Sequence, residues 1–388
     1  MTIQAALDSA RALLQADAPE QAEAVLRPYL ASGAGPLPLW RLLAQALRRQ
    51  GRIEAAARIH TMLVDRQPGD LAGRFDLAET LLLLGQFDRG WREYRFRYSL
   101  AHTVRIERKV QTPRWDGAPM PGRTLLIHDE QGFGDTFQFI RLVRPAAQRA
   151  QARVVLEVNA ESYDIIRRSF PEFMVIRRGD LPPSFDAHCE LMSLPMALRL
   201  QLADLPGPVP YLTPDPARLA HWQTRLAGLP RPLVAIAWAG RPVHPNDANR
   251  SVTLAHAAPL AATGATFLAI QKGPAATQAA SPPAGMTLHA LSDEIRNFDD
   301  TAAILCIADL LISVDSSPTH LAGALGRPAW VMLPFIPDWR WLLHRTDSPW
   351  YPQHKLFRQP ARGDWQTVLD AMATALAGRK QGQGALPP

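Results

Sequence analysis

The chain has 388 residues, enough for two or three domains that each bury a core. Its 47% hydrophobic and 20% charged content fits a globular protein and excludes a disordered or fibrous one. The formal net charge of +6 is carried almost wholly by arginine, because Lys109, Lys272, Lys355 and Lys380 are the only lysines. A basic surface attracts nucleic acid, anionic lipid or a phosphorylated substrate. Without a run of five basic residues or an aromatic-basic alternation, no nucleic acid partner is expected. No stretch approaches the ~20 apolar residues of a membrane span, so at most peripheral membrane contact is expected. Met1 to Leu14 has no basic n-region, and Cys189 and Cys306 offer neither a metal spacing nor a disulfide framework. A reduced, cytoplasmic setting is the expectation.

The first hundred residues predict helix upon helix. Trp40, Leu43, Ala44 and Leu47 recur at one helical face, Gly51 breaks the pattern, and Ile53 to Val64 restarts it until Pro68. The spacing returns 34 residues later in Leu77, Ala78, Leu81, Gly85, Gly90 and Tyr94. A degenerate earlier copy falls on Ala6, Ala10, Leu13, Ala22 and Leu26. That period marks tetratricopeptide repeats, helix pairs that stack and leave a concave surface for a partner.

After a proline-bearing bridge, Thr124–His128, a helical pattern over Phe137 to Ala150 and Arg153–Val158 predict a βαβ unit. Met174 to Ile176 and Ala187 to Leu191 are further strand candidates. Beyond the proline-rich Leu205 to Pro216 the alternation begins again. Leu233–Trp238, Thr266–Ile270, Leu310–Val314 and Ala329–Leu333 are near-continuous apolar runs, the pattern of strands covered on both faces. The expected organisation is a repeat region over 1–100, a linker over 101–123, Rossmann-like domains over 124–215 and 216–378, and a disordered tail over 379–388.

Four loops at the carboxyl ends of these strands hold the candidate chemistry, since that edge of a parallel sheet faces the ligand crevice. In Gln131-Gly132-Phe133-Gly134-Asp135, the glycines permit close backbone approach, and Asp135 is either a general base towards a hydroxyl or a helix cap. Trp238-Ala239-Gly240, followed by Arg250, adds close approach and a guanidinium fork. Lys272 ends its strand where it can neutralise phosphate or simply decorate the surface. Asp315, Ser316, Ser317 and His320 open a helix whose amides and hydroxyls suit a diphosphate, or form an ordinary helix start with a buried histidine. The aromatic stretches Pro337–Trp341 and Ser348–Pro352 could stack on a sugar or base, or close a domain interface.

The EQGFGDTFQFIR turn, the WAG and QKG strand ends and the VDSSPTHLAGALG helix start, in that order, resemble glycosyltransferase family 9, the ADP-heptose:lipopolysaccharide heptosyltransferases. GWREYRFR and PDWRWLLHRTDSPWYP look typical of its repeat-bearing bacterial branch. The resemblance implies a GT-B fold behind tetratricopeptide helix pairs, and an inverting transferase that uses no metal and no cofactor beyond its nucleotide-sugar substrate. It implies that Asp135 acts near the acceptor hydroxyl, with Gln131, Gly132 and Gly134 in its loop. Trp238, Gly240, Arg250, Lys272, Asp315, Ser316, Ser317 and His320 fall on the donor side. The family usually shows Asp-Thr-Gly where this chain has Asp315-Ser316-Ser317, so the donor sugar stays open. The expected acceptor is a protein, with flagellin as one example, held as a client in the repeat groove, or a lipopolysaccharide. The alternative is a non-catalytic adaptor whose transferase fold has decayed into a scaffold.

Overall fold

The computed structural model describes residues 2–31, 33, 35–99, 108, 110–244 and 246–380. The chain divides into two compact units. One comprises Met1–Lys109, Arg199–Ala203 and Ile336–His344; the other comprises Val110–Leu198, Asp204–Phe335 and Arg345–Pro388.

The first unit is built on six helices: α1 (Ile3–Gln15), α2 (Pro19–Leu30), α3 (Leu37–Arg49), α4 (Ile53–Arg66), α5 (Leu71–Leu83) and α6 (Phe87–Tyr94). The first helices of successive pairs begin at residues 3, 37 and 71, and the second ones at 19, 53 and 87, a 34-residue step throughout. The turn inside each pair needs a left-handed residue. Gly51 (φ +81°) and Gly85 (φ +75°) supply it, and in the first pair Asp17 (φ +53°) stands at the matching place. An aspartate tolerates that conformation, which explains why the first copy looks degenerate while its backbone repeats. Small and branched residues interlock beneath the helices, among them Ala6, Ala10, Ala22, Leu26, Leu43, Ala46 and Ala56. The distant segment Ile336–His344 completes this unit. Trp339 meets Trp91 edge-on with centroids 5.2 Å apart, and Tyr94 at 5.9 Å. Trp339 and Trp341 are both fully buried.

The second unit holds two parallel sheets. In the first lie β1 (Thr124–His128), β2 (Arg153–Val158), β3 (Met174–Arg177) and β4 (Ala187–Glu190), ordered β3-β2-β1-β4. Its helices are α7 (Phe133–Phe139), α8 (Val143–Ala150), α9 (Ala160–Ser169) and α10 (Leu194–Leu198). After α11 (Pro216–Arg225) come β5 (Leu233–Ala237), α12 (Asp247–Arg250), α13 (Ala258–Ala261), β6 (Thr266–Ala269), β7 (Thr287–Ala290), α14 (Phe298–Ile307), β8 (Leu310–Val314), α15 (Ser317–Ala324), β9 (Ala329–Leu333), β10 (His354–Arg358) and α16 (Trp365–Lys380). The second sheet runs β10-β9-β8-β5-β6-β7. Counted from β5 this is the doubly wound order of dinucleotide-binding folds, and the first sheet has the order of its first four strands in sequence. The strand order reverses between β1 and β4 and between β5 and β8, where the crevices open. Two Rossmann-like sheets behind a run of helices make this a GT-B architecture.

Every position of β5, β8 and β9 is buried, with helices such as α16 covering the second sheet through Val368, Leu369 and Met372. Removing a side chain such as Phe267 from that core costs about 3–5 kcal/mol. The structure differs from the expectation in three respects. The helix over Phe137 to Ala150 starts earlier and is split by a 3-10 turn at Ile140–Leu142. The strands β7 and β10 carry no uninterrupted apolar run; β7 is half-exposed at the sheet edge and β10 contains Lys355 and Arg358. Finally α16 continues through Lys380, into the expected tail, while residues 381–388 and linker positions 101–107 and 109 lie outside the described residues. Among the described residues no helix is long and apolar enough to cross a membrane.

Candidate functional site

The site assembles where the strand ends of the two sheets meet. The loop after β5 is braced by Gln271, which follows β6 and is almost fully buried. Its side-chain oxygen accepts from the amides of Trp238 and Ala239, both at 2.9 Å, and its amide nitrogen donates to the carbonyls of Ala239 (3.0 Å) and Lys272 (2.8 Å). This clamp leaves the Trp238 side chain in the core of the second sheet, so only its backbone belongs to the strand end. The Gly240 amide donates to Ser251 Oγ (2.8 Å), which donates to Asp247 Oδ1 (2.9 Å). A Cβ on Gly240 would lie 2.5 Å from that carboxylate oxygen and 2.7 Å from Arg250 Nη2. A side chain here would push the Asp247 carboxylate and the Arg250 guanidinium from these positions. Arg250 Nη1 in turn donates to the Asp315 carbonyl at 3.0 Å, joining the β5 and β8 loops across the switch point.

Ser316 is the extended N-cap residue of α15, with its hydroxyl 3.2 Å from Ser313 Oγ, and Ser317 starts the helix. His320 lies one turn in, buried. Its Nε2 is 3.5 Å from Asp315 Oδ1, and its Nδ1 is 2.9 Å from the Tyr351 hydroxyl. The His354 ring lies tilted by 41° against Tyr351, with centroids 4.6 Å apart. Burial first, then the electrostatic influence of neighbouring His320 and Arg141, lowers the His354 pKa to about 3. The same pocket seats the Arg141 guanidinium over Tyr211 and Tyr351, and it donates to the carbonyls of Pro206 (2.9 Å) and Trp350 (2.8 Å). The aromatic residues Trp350 and Tyr351 are fully buried.

The opposite wall is the β1–α7 turn. Asp135 is the third residue of α7, and its carboxylate reaches back to accept from the Gly132 amide at 2.9 Å. Gly132 is exposed, while Gln131, Gly134 and Asp135 are half-buried. A Cβ on Gly134 would lie 2.8 Å from His320 Cδ2 and 3.6 Å from Ser317 Cα. The two helix starts, α7 and α15, thus abut through the missing side chain. Aromatic contacts of Phe133 and Phe137 with Phe298, and a two-pronged Arg168–Asp299 pair at 2.8 and 3.1 Å, hold the two sheets in this relation.

The structure brings Gly134, Asp135, Ser317, His320, Asp315, Arg250 and Gly240 into this one region. Lys272 stands apart in its bonding: its ammonium donates to the carbonyls of Ser292 (2.7 Å) and Ile295 (3.1 Å), tying down the loop before α14. Sequence reasoning missed Gln271 as the clamp and Tyr351 as the partner of His320. The glutamine stood in view at a strand end; the tyrosine had no local signal.

The chain resembles glycosyltransferase family 9. No family model matches it. A curated relative, Protein FlbA of Caulobacter vibrioides, is 28% identical over 359 residues, 84% of this chain. The match spans 59% of that protein's length. Among solved structures, the E. coli ADP-heptose lipopolysaccharide heptosyltransferase II has a TM-score of 0.48 and 16% identity over 66% of this chain and 99% of its own. A family 9 glycosyl transferase from Veillonella parvula has a TM-score of 0.46 and 11% identity, covering 69% of this chain and all of its own.

Proposed function

We propose that this chain is an inverting glycosyltransferase that moves a sugar from a nucleotide diphosphate to an acceptor hydroxyl. The observation that carries the reading is the abutment of the Asp135 turn and the α15 helix start, held across two nucleotide-type switch points. The amides opening α15, the Ser316 and Ser317 hydroxyls and Arg250 supply fixed donors for the charge that grows on the leaving diphosphate. Asp135, on the facing turn, accepts the acceptor's proton as the new glycosidic bond forms, and the diphosphate departs from the opposite face of the anomeric carbon. His320, held between Tyr351 and Asp315, orients the donor. This chemistry needs no metal at the diphosphate.

The 34-residue helix pairs support a tetratricopeptide array, and such an array offers a concave surface to a protein. We therefore assign the acceptor to a protein bound there, for example flagellin or another surface protein, with lipopolysaccharide as the other candidate class, and place the reaction in the cytoplasm. One observation favours the adaptor reading: Lys272 and Asp135 both make structural hydrogen bonds. Calorimetric titration with a panel of nucleotide sugars separates the two. Saturable binding by one donor is the expected result; no heat at millimolar concentration of any donor overturns the transferase.

A further inference from the structure

A second cluster of reactive side chains lies in the first sheet and takes no part in the donor chemistry. His128 is the last residue of β1, and the register pairs it with Glu190 on the neighbouring strand β4. His188 lies two residues before Glu190, so by strand alternation the three side chains share one face of the sheet. All three are at most 3% exposed. His128 Nε2 is 3.3 Å from His188 Nδ1, and the three donor atoms lie within 4.8 Å of one another.

We propose that His128 Nε2, His188 Nδ1 and a Glu190 carboxylate oxygen form a site for a zinc-type divalent cation. Two nitrogens bound at about 2.0–2.1 Å with a tetrahedral angle between them stand about 3.3 Å apart, the spacing found here. The surrounding contacts are those that orient ligands. His128 Nδ1 is 3.2 Å from the Asp129 carbonyl, which can only accept, so Nδ1 carries the proton and Nε2 presents its lone pair to His188. The Glu190 carboxylate is held by Arg114 Nε at 2.8 Å and Ser193 Oγ at 3.0 Å. Two imidazoles and one carboxylate suit zinc or its first-row neighbours and disfavour magnesium and calcium, which prefer all-oxygen shells. Three protein ligands leave one tetrahedral position to be filled by a water. The cation would brace the base of the loop that carries Asp135. The competing account is a plain hydrogen bond between the two imidazoles.

The test uses the full chain with any polyhistidine tag removed, stripped with chelator, exposed to Zn2+ and desalted. About one zinc per chain retained by the wild type, falling to about a tenth or less in His188→Gln and His128→Asn, is the expected result. Cobalt(II) loading should give the visible bands of a low-coordinate site in the wild type and none in His188→Gln. The wild type alone provides a check independent of how the variants fold: its Tm should rise with zinc and return with chelator. Retention equal in wild type and variants, or a wild type that keeps about a tenth of a zinc or less with no shift in Tm, overturns the site and leaves the imidazoles simply hydrogen-bonded.

Discussion

The carboxyl ends of the two sheets are built from opposite materials. Those of the first sheet carry imidazoles and carboxylates: His128, Asp129, Glu130, Glu157, His188 and Glu190, all buried. Asp129 alone accepts from the Asn159 amide and side chain, both at 2.7 Å, and pairs with Arg178. Those of the second sheet are dominated by amides, hydroxyls and a guanidinium: Gly240, Arg250, Gln271, Ser316 and Ser317. Groups of the first kind accept protons or hold cations; groups of the second kind hold anions. The second sheet's edge also holds Asp247, Asp315 and His320, so the contrast is one of emphasis in donor and acceptor groups.

The division can be broken one side at a time. The largest effect is expected from Asp135→Asn, which keeps the cap geometry but removes the base: transfer should fall by about 10²–10⁴-fold while donor affinity holds. An equal loss of donor affinity would erase the distinction between the two sides. Arg250→Ala should do the reverse, weakening donor diphosphate binding by about 10–100-fold in calorimetry with metal retention at the first sheet unchanged. Gly240→Ala is a finer probe. Its new methyl displaces the Arg250 guanidinium, so donor binding should weaken by about tenfold, and a variant that binds like the wild type would show that the guanidinium position is immaterial.

A further probe concerns pH. His354 is held neutral with a pKa of about 3 against an ordinary 6.5, so the unfolded chain takes up this proton first as pH falls. Its contribution to stability is complete above about pH 6.5 and is lost progressively towards pH 3, by about 1.4 kcal/mol per pH unit within that window. His354→Phe should flatten that part of the profile in denaturant melts; an unchanged slope would assign the acid sensitivity elsewhere.

Much of the molecule was legible because its signals are local. The 34-residue period appears in the helix starts, and the apolar runs match β1, β2, β8 and β9 residue for residue. β7 and β10 escaped notice because a half-exposed or charged strand gains its identity from the neighbour it pairs with, here β6 and β9. The approach of the GFGD turn to His320 is a long-range fact too, yet the glycine at 134 hinted at it, since only a missing side chain allows such a distance. Trp238 shows the opposite limit. A tryptophan beside a functional glycine reads as a ligand contact, whereas strand alternation sends its ring into the core.

The placement of Ile336–His344 bears on how this protein can be handled. The polypeptide leaves the α/β unit after Phe335, sets the Trp339 indole against Trp91 and Tyr94 of the helix pairs and returns at Arg345. A shortened chain beginning at Val110 would carry Trp339 stripped of Trp91 and Tyr94, an exposed apolar surface that invites aggregation. Truncation at the apparent boundary thus disturbs the α/β unit as well as removing the helix pairs, and a defect in such a fragment would say nothing specific about the helical unit.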